Sequence, residues 1–260
     1  LSSKLYDTAT RKARQPGRKI LSVQNLSWGN AVRNNSFSIY HGQVTGMFGL
    51  IGSGRTETAK IVAGVHKRNY FHGGEIKLDG KAVRYRVPRS AVKDGIVYVT
   101  EDRKSEGFFE TMSIADNIYS SLLSFGQANS FIVSFNDAQS VARTWIERLG
   151  IRAIDGNARV IELSGGNQQK VVIADALVQT PKLVIFDEPT RSVDVGAIAE
   201  IHDLINELAD NGLAVLVISS YLPEIMGLSD RILVSRLGRI VEEFSPASAT
   251  EEKIMYAAVH

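Results

Sequence analysis

The sequence predicts a soluble α/β protein with a mostly parallel sheet, an antiparallel β-subdomain and a helical insertion. Continuous apolar runs at Gly95–Thr100, Leu183–Phe186 and Leu213–Ile218 are typical of parallel strands that are covered on both faces. Residues 108–180 carry no strand signal and contain helical patterns, which favours an insertion between two halves of that sheet. Shorter alternating runs on either side of Gly80 indicate a hairpin.

The remaining elements follow from local patterns. Alternating apolar and polar residues predict strands at Ile20–Ser27, Ser36–Tyr40, Val44–Phe48, Glu75–Asp79 and Lys81–Tyr85. Apolar residues at helical spacing predict one helix around 141–149 that ends at Gly150, and another over 198–210 that ends at Asn211-Gly212.

Composition excludes several classes of protein. The chain has 260 residues, of which 44% are hydrophobic and 22% charged, with no Cys. These values exclude collagen-like, disordered and disulfide-stapled proteins, thiol catalysis and Cys-ligated zinc. No apolar run reaches the roughly 18 residues that a membrane-spanning helix needs, and no signal peptide opens the chain. We therefore expect a protein of cytoplasmic type.

Charge is concentrated at the amino end. Residues 1–20 hold six Lys or Arg against one acid, so they carry +5, and the net charge of +2 leaves −3 for the rest. Such a basic arm can bind nucleic acid or anionic lipid. A solvated linker is favoured, since no aromatic residue interrupts 11–19 to stack on bases. The chain starts with Leu, so we expect a piece of a longer polypeptide, with a linker over 1–19 and a domain over 20–260.

A glycine-rich loop follows the strand Val44–Phe48. The phosphate loop, Gly49–Thr56 (GLIGSGRT), matches the pattern G-x-x-x-x-G-K-[ST], with Arg55 in the Lys position. Its glycines allow backbone N–H groups to surround phosphate oxygens, and the following helix adds the positive end of its dipole. A glycine-rich turn without a ligand would give the same pattern, and the missing Lys keeps that alternative open.

Two acids end a buried strand further along. Leu183–Phe186 is followed by Asp187 and Glu188, which places both carboxylates at the carboxyl edge of the sheet. There Asp187 can hold Mg²⁺, with Thr56 offering its hydroxyl, and Glu188 can orient or deprotonate an attacking water. Two acids that simply start a loop are the alternative.

The signature segment, Leu163–Gln168 (LSGGNQ), precedes a helical run that stops before Pro181. Ser164 is suited to an N-cap, and the two glycines after it expose amide groups, so the segment predicts a second anion-binding surface. A single nucleotide does not need two such surfaces from one domain. The pattern therefore favours a surface that closes on a nucleotide held by a partner, although an ordinary capped helix is possible.

Together these motifs resemble the nucleotide-binding domain of an ABC transporter. The phosphate loop resembles its Walker A motif, Leu183–Glu188 its Walker B strand and the signature segment its LSGG signature, in the family's order. The resemblance covers about 20–260. Finer matches, such as those at 101–107 and 187–197, resemble the C-terminal half of tandem ATPases from bacterial monosaccharide importers of the ribose and galactose type. The fold implied is an ABC-type P-loop NTPase.

The resemblance implies roles for individual residues. Glu188 would be catalytic, Asp194 would lie in the D-loop, Ser220 would occupy the switch position, and Thr56, Glu101 and Asp187 would contact the metal. The nucleotide-binding set comprises Trp28, which would stack on adenine unless it is a core aromatic, and Gly49, Leu50, Ile51, Gly52, Ser53, Gly54, Arg55, Thr56 and Glu57. The signature set, acting on the partner's nucleotide, comprises Leu163, Ser164, Gly165, Gly166, Asn167 and Gln168.

Three departures from the family pattern affect the expected activity. Arg55 replaces a Lys whose compact ammonium a forked guanidinium does not reproduce. Ser220 stands where the family has a His, and Glu101 where it has a Gln. We therefore expect this chain's own site to be degenerate, a weak ATPase in isolation, while its signature completes the ATP site of a partner half.

The resemblance also implies cofactors, partners and location. ATP and Mg²⁺ are the implied cofactors. The implied partners are an N-terminal nucleotide-binding half, transmembrane permease subunits and, indirectly, a solute-binding protein, with no nucleic acid. The protein would lie peripherally on the cytoplasmic face of the inner membrane. The alternatives are a regulatory half without turnover, an importer ATPase for nucleosides or a signalling sugar, and a soluble ABC ATPase that acts on RNA or the ribosome.

Overall fold

The computed structural model describes residues 12–102, 106–124 and 135–260. Two sheets form the framework. The larger has six strands in the order β10-β9-β3-β8-β7-β6, and the smaller has four in the order β2-β1-β4-β5. The strands of the larger sheet are β3 (Val44–Gly49), β6 (Ile96–Val99), β7 (Leu183–Asp187), β8 (Ala214–Ser219), β9 (Arg231–Arg236) and β10 (Arg239–Phe244). Those of the smaller are β1 (Lys19–Trp28), β2 (Val32–Tyr40), β4 (Glu75–Leu78) and β5 (Lys81–Val83).

The pairing of strands confirms the predicted mixture of parallel and antiparallel sheet. Strand β3 pairs in parallel with β8 and β9, and β7 pairs in parallel with β6 and β8. All pairs in the four-stranded sheet are antiparallel. The hairpin of β9 and β10 was not predicted, although Leu237-Gly238 is a two-residue turn between two apolar runs.

The helices cover the larger sheet. They are α1 (Arg55–Val62), α2 (Pro88–Asp94), α3 (Ile114–Ser124), α4 (Phe135–Leu149), α5 (Gly165–Leu177), α6 (Val195–Asp210), α7 (Leu222–Leu228) and α8 (Glu251–Val259). Between β6 and β7 the described residues contain α3, α4, α5, a short 3₁₀ helix (Val160–Glu162) and one isolated bridge, in line with the expected helical insertion. No helix of the described residues is long and apolar enough to cross a bilayer.

Strand β7 shows how both faces of the larger sheet are buried. Leu183 and Ile185 belong to an apolar cluster with the four-stranded sheet, α1 and α2, whereas Val184 and Phe186 belong to a second cluster with α3 to α8. All four side chains are fully buried. The continuous apolar run is thus explained by neighbours on both faces, and it leaves polar residues only at the strand's carboxyl end.

The segment before β1 is attached to the core. Arg14 donates to Asp230 from its backbone nitrogen at 3.0 Å and from Nη1 at 3.2 Å, and from Nε to Asp210 at 2.6 Å. The Gln43 amide donates to the Arg14 carbonyl oxygen at 2.7 Å. The prediction of a solvated linker is therefore wrong at Arg14, because its partners lie on α6 and beside β9. The basic residues before position 12 lie outside the described residues.

A carboxyl group on α5 makes the stability of the chain depend on pH. Burial raises the pKa of Asp175 from 3.8 to about 7, against an opposing hydrogen bond from Ser121. Between those values the folded state keeps a proton that the unfolded chain has released, so stability falls as pH rises from about 4 to about 7. We expect Asp175→Asn to gain stability over wild type from pH 5 to pH 8, by at least the ~1.4 kcal/mol that one pKa unit is worth.

Urea unfolding at both pH values measures this difference, with Asp203→Asn on the exposed face of α6 as the control. The control should track wild type at both pH values. An Asp175→Asn advantage that is equal at pH 5 and pH 8 would contradict the raised pKa.

Candidate functional site: a phosphate loop facing paired acids

The phosphate loop joins β3 to α1 in a tight turn. Gly52 and Gly54 have φ of +78° and +86°, in the left-handed region that suits glycine. A Cβ on Gly54 would clash with the Ala31 carbonyl oxygen and lie 2.9 Å from Gly238 Cα, so only glycine fits there. No side chain caps the amino end of α1. Its backbone N–H groups and the positive end of its dipole therefore face the cleft, an arrangement that fits phosphate.

Arg55 is folded back into the loop. Its Nη1 donates to the carbonyl oxygens of Gly49 at 2.8 Å and Leu50 at 2.6 Å and to Ser53 Oγ at 3.4 Å. Its Nη2 donates to Glu188 Oε1 at 2.9 Å. The side chains of Arg55 and Glu188 are only 9% and 10% exposed. The residue in the Lys position thus neutralises the expected catalytic carboxylate.

Glu188 has further partners at the end of β8. The Ser220 backbone N–H donates to Oε1 at 2.8 Å, and Ser219 Oγ to Oε2 at 3.4 Å. Its own backbone N–H donates to the Ile218 carbonyl oxygen at 2.8 Å, which holds it at a φ of +49°. Ser220 therefore contributes a main-chain donor at the switch position, where the resemblance implied a histidine ring.

Asp187, the last residue of β7, is fully buried, is absent from the cleft lining described below, and has two hydroxyl partners. Tyr98 Oη donates to Oδ2 at 2.6 Å, and Thr56 Oγ1 to Oδ1 at 3.2 Å. Burial raises the pKa of Asp187 to about 6, although both hydrogen bonds oppose the shift. Burial and the neighbouring Asp187 raise the pKa of Tyr98, which therefore stays a hydrogen-bond donor.

The residues at the metal position fit Mg²⁺ only together with phosphate. No group of three or more His, Cys, Asp or Glu in the described ranges could hold a metal ion. Thr56 and Asp187 offer two oxygens 3.2 Å apart, and Mg²⁺ typically takes one or two protein carboxylates with phosphate and water. Glu101 is occupied elsewhere, because Arg191 Nη1 donates to its Oε2 at 2.6 Å.

Most of these groups line a cleft of about 630 Å³. Its lining contains Ile51, Gly52, Ser53, Gly54, Arg55, Thr56, Glu57, Glu101, Glu188, Thr190, Arg191, Ile198, Ser220, Tyr221 and Glu224. Trp28 is not in this lining. It is half-buried and stacks on His66 with ring centroids 4.6 Å apart, so the adenine role of Trp28 stays a prediction.

The signature segment is a capped helix start, apart from the lining of the cleft. Ser164 accepts a hydrogen bond from the Asn167 backbone N–H and is the N-cap of α5. Gln168 donates from its side chain to the carbonyl oxygens of Val160 and Leu163, each at 3.2 Å, which fixes the chain entering the helix.

The signature segment also packs against α6. A Cβ on Gly166 would clash with Ala197 Cβ, so glycine allows the two helices to approach closely. Lys170 pairs with Glu200 on α6. Asp194 is the N-cap of α6, accepting from the Ala197 backbone N–H at 3.0 Å. The expected signature and D-loop positions thus lie next to each other.

One buried polar group was missed from the sequence. Glu224, 1% exposed, accepts from Thr190 Oγ1 at 2.7 Å and contacts His202 Nε2 at 3.0 Å. It links the loop after β7, α6 and α7. His202 is 6% exposed, so it is a buried structural residue of α6.

The geometry joins a phosphate loop, an acidic strand end and a capped signature helix in one chain. A family model described as ABC transporter matches residues 32–191. The chain belongs to the ABC transporter family.

Proteins of known role in this family share much of the sequence. A ribose import ATP-binding protein, RbsA, of Caldanaerobacter subterraneus subsp. tengcongensis is 43% identical over 244 residues, covering 94% of this chain and 49% of the relative. A xylose import ATP-binding protein, XylG, of Thermoanaerobacter pseudethanolicus is 42% identical, covering 95% of this chain and 50% of the relative. The chain spans about half the length of these curated relatives.

Solved ABC cassettes share the fold. The ATP-binding cassette MJ1267 of an ABC transporter superposes with a TM-score of 0.79 over 94% of this chain and all of that one, at 22% identity. This likeness confirms the predicted fold class of an ABC-type P-loop core with mixed sheets and helices.

Proposed function

We propose that this chain is the C-terminal, ATP-binding and energy-coupling half of a bacterial ABC importer for monosaccharides. The relatives named for ribose and xylose import support the sugar class, and their double length supports a tandem arrangement. The main support is the contrast within the chain. Its signature segment is intact and capped, whereas Glu188 of its own cleft is paired with Arg55.

The nucleotide cleft and the signature segment therefore have different functions in this proposal. In the cleft the phosphate loop binds nucleotide, and Thr56 and Asp187 would hold Mg²⁺, which compensates phosphate charge. Glu188 is suited to orienting water, but its pairing with Arg55 makes it a poor base, so turnover is slow. The signature segment completes the ATP site of the other half.

The proposed partners follow from the importer role. They are the other nucleotide-binding half, transmembrane permease subunits and, indirectly, a solute-binding protein. The site of action is the cytoplasmic face of the inner membrane, with the protein bound peripherally. A nucleotide-binding half without any turnover is the second candidate, and the Arg55–Glu188 pair is the observation that favours it.

Steady-state ATP hydrolysis by the purified chain tests the degenerate cleft. We expect a rate at least about a hundredfold below the ~10 per second typical of enzymes. The half of the ribose import relative that this chain does not match is then added, and hydrolysis should rise. Gly165→Asp should abolish that rise, because a carboxylate at the start of α5 repels phosphate.

The control is Gly80→Asp, which adds the same charge in the β4–β5 turn. A new Cβ there meets nothing within 4 Å, and the strain from the φ of +78° stays local to that turn, since Asp is among the residues that tolerate the left-handed region. This variant should leave the stimulation intact. Hydrolysis at tens per second by the chain alone, or stimulation that survives Gly165→Asp, would contradict the proposal.

A further inference from the structure

The terminal nitrogens of the cationic side chain in the phosphate loop already have acceptors within the protein, while its Nε is buried without a hydrogen-bond partner. Both terminal nitrogens of Arg55 have acceptors, namely the carbonyl oxygens of Gly49 and Leu50 and the carboxylate of Glu188. The Arg55 side chain borders the cleft but is only 9% exposed. A terminal phosphate could recruit it only by breaking these hydrogen bonds and leaving the Glu188 carboxylate uncompensated in a buried position, which is costly.

Arg191, the other guanidinium that lines the cleft, is also paired with a carboxylate, in a more exposed ion pair. Glu101 accepts from Arg191 at 2.6 Å. The two guanidinium groups are therefore matched by two carboxylates, and the ion pairs carry no net positive charge. A third phosphate that extends toward these pairs meets no unpaired cation among them.

The elements that bind the first two phosphates remain available. They are backbone groups: the turn with positive φ at Gly52 and Gly54, and the amino end of α1, which no side chain caps. Their affinity for phosphate does not depend on the identity of residue 55, because main-chain N–H groups and the helix dipole supply it. They contact a nucleoside diphosphate as well as a triphosphate.

Because the cationic side chains are paired while the backbone phosphate-binding groups are available, we propose that the cleft is a nucleoside diphosphate site that does not distinguish ADP from ATP. The Arg55–Glu188 pair removes the favourable contact that a cationic side chain would make with the third phosphate. The backbone N–H groups of the phosphate loop still bind the first two phosphates. The inference rests on the proposed nucleotide-binding function and adds its ligand class. In the importer the cleft then stays occupied whether or not its nucleotide is hydrolysed, and only the partner's site responds to the terminal phosphate.

Competition titrations on the 260-residue chain test this. A fluorescent ADP analogue is bound first and is displaced by unlabelled ADP or ATP in the same Mg²⁺ buffer. We expect the two dissociation constants to agree within about fivefold. Arg55→Lys, whose single ammonium cannot hold both the loop carbonyls and Glu188, should favour ATP by at least about tenfold. Glu188→Gln should shift the ratio in the same direction, because it removes the counter-charge that holds Arg55.

The control is Arg89→Lys, the same exchange at an exposed position of α2, which should keep the wild-type ratio. Thermal unfolding checks that each variant folds. If Arg55→Lys does not fold, Glu188→Gln provides the test by itself. The inference would be overturned if the wild-type chain bound ATP more than fivefold tighter than ADP. It would also be overturned if both variants folded and kept the wild-type ratio of the two dissociation constants. Absence of binding for both nucleotides at millimolar concentration would instead refute the proposed nucleotide-binding function.

Discussion

Gly54→Ala is expected to weaken nucleotide binding by at least about a hundredfold and to destabilise the chain by about 3 kcal/mol, the sum of a left-handed alanine and an overpacked contact. Gly54 has a φ of +86°, and a Cβ there would clash with the Ala31 carbonyl oxygen and crowd Gly238. The loop can relieve both contacts only by moving away from the turn at Ala31. That movement carries the first N–H groups of α1 out of the phosphate-binding position.

Gly52→Ala is the matched control. Gly52 has a similar φ of +78°, but a Cβ there meets nothing within 4 Å. We expect it to cost only the ~1–2 kcal/mol of the left-handed conformation and to leave most of the affinity for ADP. Thermal unfolding and ADP titration of both variants measure the two effects. Equal losses of affinity in the two would show that backbone strain, and not the close approach of Ala31, explains the glycine at position 54.

Asp230→Ala is expected to destabilise the chain by about 3–5 kcal/mol, as removal of one member of a buried ion pair does. The Asp230 side chain is fully buried beside Arg14, whose side chain is 20% exposed. It also accepts from the Val44 backbone N–H at 2.8 Å, so the variant leaves that buried donor without its acceptor and leaves Arg14 with only its more exposed carboxylate, Asp210. Urea unfolding gives the free energy directly.

Asp210→Ala removes the other carboxylate of the same arginine. Asp210 is 63% exposed, and exposed ion pairs contribute about 0–1 kcal/mol. This control separates the loss of one charge near Arg14 from the loss of a buried acceptor. If both variants lost the same stability, Arg14 itself and not the buried carboxylate would be the source of the effect.

The elements that were predicted correctly are those with a clear pattern of apolar residues within a short stretch of sequence. The runs that became β6, β7 and β8 are continuous because both faces are covered, and each prediction was accurate to within a residue or two at either end. Helices α2, α7 and α8 and the β9–β10 hairpin were missed. Helices α2 and α7 have seven residues each, α8 has nine, and β9 has an arginine at each end, so none of them offers a long apolar pattern.

The site was predictable as a set of residues but not as a set of contacts. Gly49–Thr56, Asp187 and Glu188 could be named from their motifs. The ion pair of Arg55 with Glu188 could not, because it joins residues 133 positions apart and depends on how far a guanidinium reaches. The same is true of Glu224, which reaches Thr190 because α7 packs against β3, β8 and α6.

The hydrogen bonds that Arg14 makes with Asp230, Asp210 and Gln43 also determine at which edge of the larger sheet the chain enters the domain. Asp230 precedes β9 and binds the first residue of β3, whereas the phosphate loop, Asp187 and Ser220 lie at the opposite, carboxyl ends of their strands. The two edges are separated by one strand length, about 20 Å for a six-residue strand. A reporter group or fused domain attached through residue 12 would therefore be delivered to the edge remote from the nucleotide cleft, and its tether would have to pass around the sheet to reach that cleft.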